Sequence, residues 1–233
     1  MLARWTQKLL HRLPSQCAVC HAWPAQPLCE GCVARFAQPR PRCPRCALAL
    51  PSGIAACGHC ISNPPALDAC HAAVSYGYPW AGLIGQYKFN GHAGWARSFG
   101  LLLRSAAGVE PALDAADLVI PMPLSRQRLS ERGFNQALLL ARAVAQGKTR
   151  TGLLLRTRHT APQTSLDRRM RLGNLRNAFA VEPLASGQVR GRQVVLIDDV
   201  MTSGASMAAA AAALRLAGAA GVTGIVLART DEH

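Results

Sequence analysis

The chain has 233 residues, half of them hydrophobic, and carries a formal net charge of +14. This length accommodates one sizeable α/β domain and a small additional module, and no apolar stretch is long enough to span a membrane. The charge comes from 23 arginines and only three lysines; arginine makes fork-like contacts with phosphates, although a GC-rich genome also enriches it.

Residues 1–13 predict a short amphipathic helix, with Leu2, Trp5, Leu9 and Leu13 along one face. Basic residues interrupt the apolar ones, so the segment lacks the continuous hydrophobic core of a secretory signal. We therefore expect a helix that packs on its own protein rather than on a membrane. Without an export signal, the cysteines that follow should face a reducing, cytoplasmic environment.

Eight of the nine cysteines form four Cys-x-x-Cys pairs, namely Cys17/Cys20, Cys29/Cys32, Cys43/Cys46 and Cys57/Cys60. Two such pairs supply the four thiolates of a tetrahedral zinc site. The segment has few large apolar residues, so a metal should provide most of its folding energy. We predict two structural zinc sites, with sequential pairing expected and cross-braced pairing open. A disulfide framework is the alternative that a reducing compartment disfavours, and Cys70 is predicted to be a small buried residue.

The cysteine-rich segment is also basic, through Arg35, Arg40, Arg42 and Arg45. This surface suits nucleic acid, and solvated charge is the alternative. Pro64 and Pro65 close the segment. We therefore predict two domains, with the helix and double zinc ribbon at 1–64 and an α/β domain at 65–233.

The second domain alternates apolar runs with helical patterns. Apolar runs predict strands at 72–78, 118–122, 153–155, 178–181, 194–197 and 222–227. Helical patterns occur at 95–107, 137–145 and 205–217. Residues 87–91 predict an exposed turn, and the stretch after the second strand predicts a loop rich in proline and arginine. This alternation predicts a parallel sheet with helices on both faces.

Residues 194–206 read Val-Val-Leu-Ile-Asp-Asp-Val-Met-Thr-Ser-Gly-Ala-Ser. The apolar run predicts a buried strand, and Asp198 and Asp199 follow at its carboxyl end, where α/β sheets bind ligands. The small-residue turn then leads into an alanine-rich helix, so N–H groups and hydroxyls can surround a phosphate. Because carboxylates can accept hydrogen bonds from a ribose diol, the segment suits a sugar with a 5′-phosphate.

This segment resembles the signature of type I phosphoribosyltransferases. The resemblance implies that Asp198 and Asp199, as the catalytic pair, hold the ribose hydroxyls of phosphoribosyl pyrophosphate (PRPP), with Mg²⁺ bridging the diphosphate and the diol. It further implies that a phosphate cradle is formed by Thr202, Ser203, Gly204, Ala205 and Ser206. The pyrophosphate loop would comprise Pro123, Leu124, Ser125, Arg126 and Arg132. The arginine-rich stretch 156–176 occupies the place of a mobile loop that closes over PRPP, through Arg168, Arg169 and Arg171.

The chain as a whole resembles the ComF/GntX competence-protein family. The segments that carry this resemblance are Tyr87-Lys88-Phe89-x-Gly91, Pro121-x-Pro123-Leu124, Glu131 to Gln136, Gln163-x-x-Leu166, Arg171-x-x-Asn174 and Asn177-Ala178-Phe179. The resemblance implies a cytoplasmic protein that binds PRPP and supports natural transformation, with single-stranded DNA and the uptake machinery as partners. Two alternatives are an active phosphoribosyltransferase of nucleotide metabolism and a non-catalytic module that senses PRPP or binds nucleic acid.

Overall fold

A computed structural model of the chain describes residues 15–23, 26–89, 94–157 and 178–231. Contacts divide the chain into two compact units, residues 1–38 and 39–233. The helix predicted at 1–13 lies outside the described residues. The second group of four cysteines belongs to the larger unit, and a domain boundary after residue 64 stays a prediction. Within the described ranges, no helix has both the length and the apolar character needed to cross a membrane.

The smaller unit is organised around its cysteines. Residues 18–20 form a turn, and helix α1 (Glu30–Phe36) follows with Cys29 at its N-cap. The Cys29 Sγ accepts a hydrogen bond from the backbone N–H of Cys32 at 3.4 Å. Arg35 places its guanidinium 5.2 Å from the centre of the Phe36 ring, so this arginine covers part of a small apolar surface.

The larger unit contains the second cysteine segment and an α/β domain. Its helices and strands, in chain order, are α2 (Gly58–Ser62), β1 (Ala69–Ser75), α3 (Trp80–Phe89), α4 (Trp95–Arg104), α5 (Val109–Ala115), β2 (Leu118–Pro121), α6 (Arg126–Arg132), α7 (Gln136–Ala145), β3 (Leu154–Arg156), β4 (Phe179–Val181), β5 (Gln193–Met201), α8 (Ala205–Leu216) and β6 (Gly221–Arg229).

Four strands form one parallel sheet in the order β1-β6-β5-β2. The four consecutive residues 194–197 of β5 are all buried. Successive side chains of a strand point to opposite faces, so both faces of the sheet are covered. The predicted α/β fold of the type I phosphoribosyltransferase class, with a parallel sheet and helices, is confirmed.

Two predicted strands do not join this sheet. β3 and β4 pair with each other in antiparallel orientation, with Leu154 opposite Val181 and Arg156 opposite Phe179. The prediction that they extend the parallel sheet is therefore wrong. Each strand has only three residues, and so short an apolar run does not specify its partner.

Two predicted loops are helical. Residues 87–89 end helix α3 rather than forming an exposed turn, and Tyr87 is fully buried. The missed signal is the apolar spacing Trp80, Leu83, Ile84 and Tyr87, which is the buried stripe of a helix. Residues 126–132 form α6, because Ser125 caps its N-terminus and Gly133 ends it in the left-handed conformation at φ 76°.

The second cysteine segment is docked on the edge strand β1. The Pro44 carbonyl accepts a hydrogen bond from the Cys70 N–H at 2.7 Å, and Arg45 Nη1 donates to the Leu67 carbonyl at 3.2 Å. Arg42 Nη2 donates to Ser75 Oγ at 3.1 Å. These two arginines therefore bind the domain in addition to carrying positive charge; Arg45 is exposed, as the predicted basic surface requires, whereas Arg42 is half-buried. Cys70 is buried, as predicted.

Candidate functional site

The acid pair lies at the carboxyl edge of the parallel sheet. Pro121, the last residue of β2, is paired in register with Ile197 of β5. Asp198 follows Ile197, so the segment after β2 and the acid pair meet at the same edge. This edge is where open α/β sheets bind ligands.

The turn between β5 and α8 is shaped by one glycine. Gly204 is the N-cap of α8 and has a φ of 79°, in the left-handed region that glycine adopts without strain. No N-cap side chain binds the N–H groups of the first turn of α8. Thr202 and Ser203 are exposed, and the Ser203 Oγ accepts a hydrogen bond from the Ala205 N–H at 3.4 Å. The turn thus presents hydroxyls and backbone N–H groups to an anion.

The two carboxyl groups interact with each other and with cations. The Asp199 N–H donates to Asp198 Oδ1 at 2.8 Å, and Lys88 Nζ lies 3.2 Å from Asp199 Oδ1. Burial and the neighbouring Asp199 charge raise the pKa of Asp198 to about 7, against the opposite influence of Lys88 and Arg132. A carboxyl group that titrates near neutral pH beside a second acid is typical of a ligand-binding or catalytic site.

Lys88 is held in place by contacts between α3 and α7. The Tyr87 hydroxyl donates to the Gln136 carbonyl at 2.8 Å, and Gln136 Nε2 donates to the Lys88 carbonyl at 3.4 Å. Arg132 Nη1 donates to Gln136 Oε1 at 3.1 Å. The Tyr-Lys-Phe segment and the Arg-Gly-Phe-Asn-Gln segment therefore meet beside the acid pair.

The predicted pyrophosphate loop follows β2 directly. Pro123, Leu124 and Ser125 form the connection, and Asn135 Nδ2 donates to the Met122 carbonyl at 3.0 Å, which joins the start of the loop to the start of α7. Arg132 lies close enough to affect the pKa of Asp198, whereas Arg126 is exposed on α6. Arg168, Arg169 and Arg171 lie outside the described residues, so their role stays a prediction.

A cavity of about 410 Å³ adjoins this loop. Pro123, Phe134 and Asn135 line it together with the guanidinium-bearing Arg142 and Arg150. Neither the acid pair nor the residues of the phosphate turn line this cavity.

Three residues of the site were not assigned a role from the sequence: Lys88, Gln136 and Arg156. Arg156, at the end of β3, lies over the Phe179 ring at 5.5 Å. Burial and Arg128 lower the pKa of Arg156, and Asp198 acts in the opposite direction, which places this arginine near the acid pair. The sequence does single out Lys88, because it is one of only three lysines in an arginine-rich chain.

The eight paired cysteines form two clusters, Cys17-Cys20-Cys29-Cys32 and Cys43-Cys46-Cys57-Cys60, with the ligand atoms of each within 4.8 Å of one another. Sequential pairing is confirmed, and cross-braced pairing is wrong. Neighbouring sulfurs are 3.6–3.7 Å apart, far beyond the roughly 2.0 Å of a disulfide.

Each cluster combines a Cys-x-x-Cys turn with a cysteine that caps a short helix. Burial alone would raise the thiol pKa values, but backbone N–H groups, foremost those of Cys20 and Cys57 respectively, lower the pKa of Cys17 to about 6 and that of Cys43 to about 7. Burial and the neighbouring thiols instead raise the pKa of Cys32, Cys46 and Cys60, so these thiols lose their protons only when a metal binds. Four thiolates per cluster are the donor set of structural zinc.

Comparison with known proteins agrees with this description. The phosphoribosyl transferase domain family matches residues 139–232. DNA utilization protein YhgH of Escherichia coli (strain K12) is 32% identical over 209 residues, which cover 87% of this chain and 90% of that protein. Competence protein F of Haemophilus influenzae is 30% identical over 186 residues, covering 77% and 80% of the two chains. The chain therefore belongs to the family of DNA utilization protein YhgH and Competence protein F.

Proposed function

We propose that the chain is a phosphoribosyltransferase-like protein that binds PRPP and supports DNA utilization during natural transformation. The observation that carries this proposal is the meeting of the acid pair and the phosphate turn at one edge of the sheet. Asp198 and Asp199 can accept hydrogen bonds from the ribose diol, and the turn from Thr202 to Ser206 can hold the 5′-phosphate. The relatives' names supply the link to DNA utilization.

The cations around the acid pair suit the other end of PRPP. Lys88, Arg132 and Arg156 bring positive charge to the same edge, and Arg126 extends it on α6. We propose that Arg132 and the loop after β2 receive the diphosphate, with Arg168, Arg169 and Arg171 contributing from the following segment. Mg²⁺ would neutralise charge between the diphosphate and the diol, beside Asp198 and Asp199.

Calorimetry of PRPP with Mg²⁺ tests this function directly. Saturable binding is the expected result, and its absence would contradict the proposal. Pyrophosphate release across candidate acceptors then separates the two forms of the function. Release with one acceptor class identifies a transferase. Binding without release identifies a PRPP sensor.

We also propose that each cysteine cluster holds one structural zinc ion. The clusters fit the metal, and thiolates of this kind persist in a reducing environment, which supports a cytoplasmic location. Protein purified without chelator should contain about two zinc ions per chain by elemental analysis, one for each four-thiolate site. Less than about one zinc ion per chain would contradict the assignment.

Single-stranded DNA is the proposed macromolecular partner. None of the residues of α6 is buried, and this helix presents Arg126 and Arg128 beside the site. We expect binding with little sequence preference. If about four phosphates are neutralised, the logarithm of the affinity should fall with the logarithm of salt concentration at a slope near −3.

Two paired variants locate this DNA contact. Arg126→Gln with Arg128→Gln should weaken binding and flatten the salt dependence. The matched control is Arg190→Gln with Arg192→Gln, which replaces two exposed arginines at the other end of β5. This control should leave the DNA affinity and its salt dependence unchanged. Stripping the zinc should weaken binding if the cysteine segments present the DNA-binding arginines. A flat salt profile for the wild-type chain would contradict direct contact with DNA.

A further inference from the structure

Arg229 joins the second cysteine cluster to the phosphate turn. This residue ends β6, and its side chain is completely buried. Its Nε donates to the carbonyl of Cys46, a member of the cluster, at 3.0 Å. Its Nη1 donates to the Met201 carbonyl at 3.4 Å and to the carbonyl of Thr202, the first residue of the turn. A single guanidinium therefore contacts both structures.

The charge of Arg229 is not balanced by a carboxylate in the described part of the chain. Its acceptors there are backbone carbonyls and the Thr230 hydroxyl, and its Nη2 has no hydrogen-bond partner among the described residues. A buried cation without a counter-charge is costly. Four thiolates around one divalent zinc ion carry a net charge of −2, and Cys46 is one of these ligands. A metal-loaded cluster would therefore place net negative charge beside Arg229.

We propose that Arg229 is a positioning residue through which the metal occupancy of the second cluster controls the affinity of the phosphate turn for PRPP. The proposal rests on the proposed PRPP function. With the metal bound, Arg229 is held by the cluster and fixes the carbonyls of Met201 and Thr202. These carbonyls set the direction of the turn that follows. When the metal is lost, the thiolates take up protons, which removes the net negative charge of the cluster and releases the Cys46 carbonyl, so the turn is no longer held in its binding conformation.

Docking of the cluster makes this coupling mechanical as well as electrostatic. The Pro44 carbonyl accepts a hydrogen bond from Cys70 of β1, and Arg45 donates to Leu67, just before β1. Strand β1 is the neighbour of β6 in the sheet. The cluster is therefore fixed to the strand beside the one that carries Arg229. A change at Cys46 can act on Arg229 directly, through the hydrogen bond from Nε to the Cys46 carbonyl.

Thermodynamic linkage provides a test in the wild-type chain. If zinc favours PRPP binding, PRPP must favour zinc binding by the same factor. Zinc transfer to a chromophoric chelator should be measured with and without PRPP, at equal Mg²⁺ concentration. At equilibrium with the chelator, PRPP should raise the affinity of the protein for one of the two zinc ions by about tenfold, within the range of allosteric coupling, and leave the affinity for the other unchanged.

Variants assign the effect to Arg229. Arg229→Met should lower PRPP affinity by about tenfold, as expected for the loss of a charge-assisted hydrogen bond, and should abolish the protection of zinc. Arg229→Lys keeps the charge but lacks the fork that reaches both carbonyls, so an intermediate result is expected. Arg192→Met is the control, because Arg192 pairs with Asp117 at 3.5 Å at the other end of β5. This variant should keep the wild-type PRPP affinity and the protection of zinc by PRPP.

The outcomes separate the coupling from the function it rests on. If wild-type protein binds PRPP but neither zinc ion is protected, the coupling is wrong and the proposed function stands. If Arg229→Met loses stability but keeps the protection, the residue is only structural and the proposal fails. If wild-type protein does not bind PRPP, both proposals are overturned. Because the zinc-release measurement uses the wild-type chain, the test does not depend on the variant folding.

Discussion

Replacing Asp198 and Asp199 together with asparagine should weaken PRPP binding by about 2–4 kcal/mol, or roughly 30- to 700-fold. The change preserves the volume of both side chains. It removes two charged acceptors that would bind the ribose hydroxyls and stand beside Mg²⁺. Calorimetry at constant Mg²⁺ measures the loss, because the affinity of a binding site is obtained whether or not the protein turns over a substrate.

The control for this experiment is Asp117→Asn. Asp117 Oδ2 accepts a hydrogen bond from the backbone N–H of Gln193 at 2.8 Å, and Gln193 is the first residue of β5. This carboxylate is therefore bound to the same strand at the end remote from the acid pair. Its replacement should leave PRPP affinity unchanged. Equal affinity of wild-type protein and the double variant would show that PRPP, if bound, is held elsewhere.

The parts of the site that could be predicted from the sequence are local in the chain. Residues 194–206 contain the strand, the acids, the turn and the helix start within one short segment. The Cys-x-x-Cys pairs likewise fix both sulfurs within four residues, and the next pair along the chain completes each cluster. Local spacing is sufficient where one turn of backbone sets the geometry.

The parts that could not be predicted depend on contacts between distant segments. Lys88 meets Asp199 only because α3 packs against the start of α7, and Arg229 meets Cys46 across a separation of 183 residues. No spacing in the sequence encodes either contact. The error at Tyr87 has a different origin, because its helical stripe was visible but short. The three-residue strands β3 and β4 carried too little pattern to specify their pairing.

In the absence of PRPP, the acid pair should lower the free energy of unfolding of the protein. Asp198→Asn should raise it again. The pKa of Asp198 is raised from an ordinary value of 3.8 to about 7, through burial and the Asp199 charge. The folded state therefore retains a proton that the unfolded state has already lost. A raised carboxyl pKa contributes stability below about pH 4, and this contribution is lost as the pH rises through 7.

Asparagine has no proton to lose. The stability of Asp198→Asn relative to wild-type protein should therefore grow with pH up to about pH 7 and then stay constant. We expect the variant to be more stable by about 1–3 kcal/mol at pH 8.5, and this advantage to be about 1 kcal/mol smaller at pH 6. Urea unfolding at both pH values, without PRPP and with zinc retained, measures the difference. More acidic conditions are avoided because protonated thiols release metal.

Ligand should reverse the order of stability. At the same concentration of PRPP with Mg²⁺, wild-type protein should be stabilised more than Asp198→Asn, because the stabilisation by a ligand grows with the logarithm of its concentration divided by the Kd. Asp117→Asn, which alters an exposed ion pair with Arg192, should show neither the pH-dependent gain nor the loss of ligand stabilisation. A variant that is less stable than wild-type protein at pH 8.5 would show that the Asp198 carboxylate is well compensated in the folded chain. The acid pair would then stabilise the fold, rather than being retained at a cost in stability for the ligand that it binds.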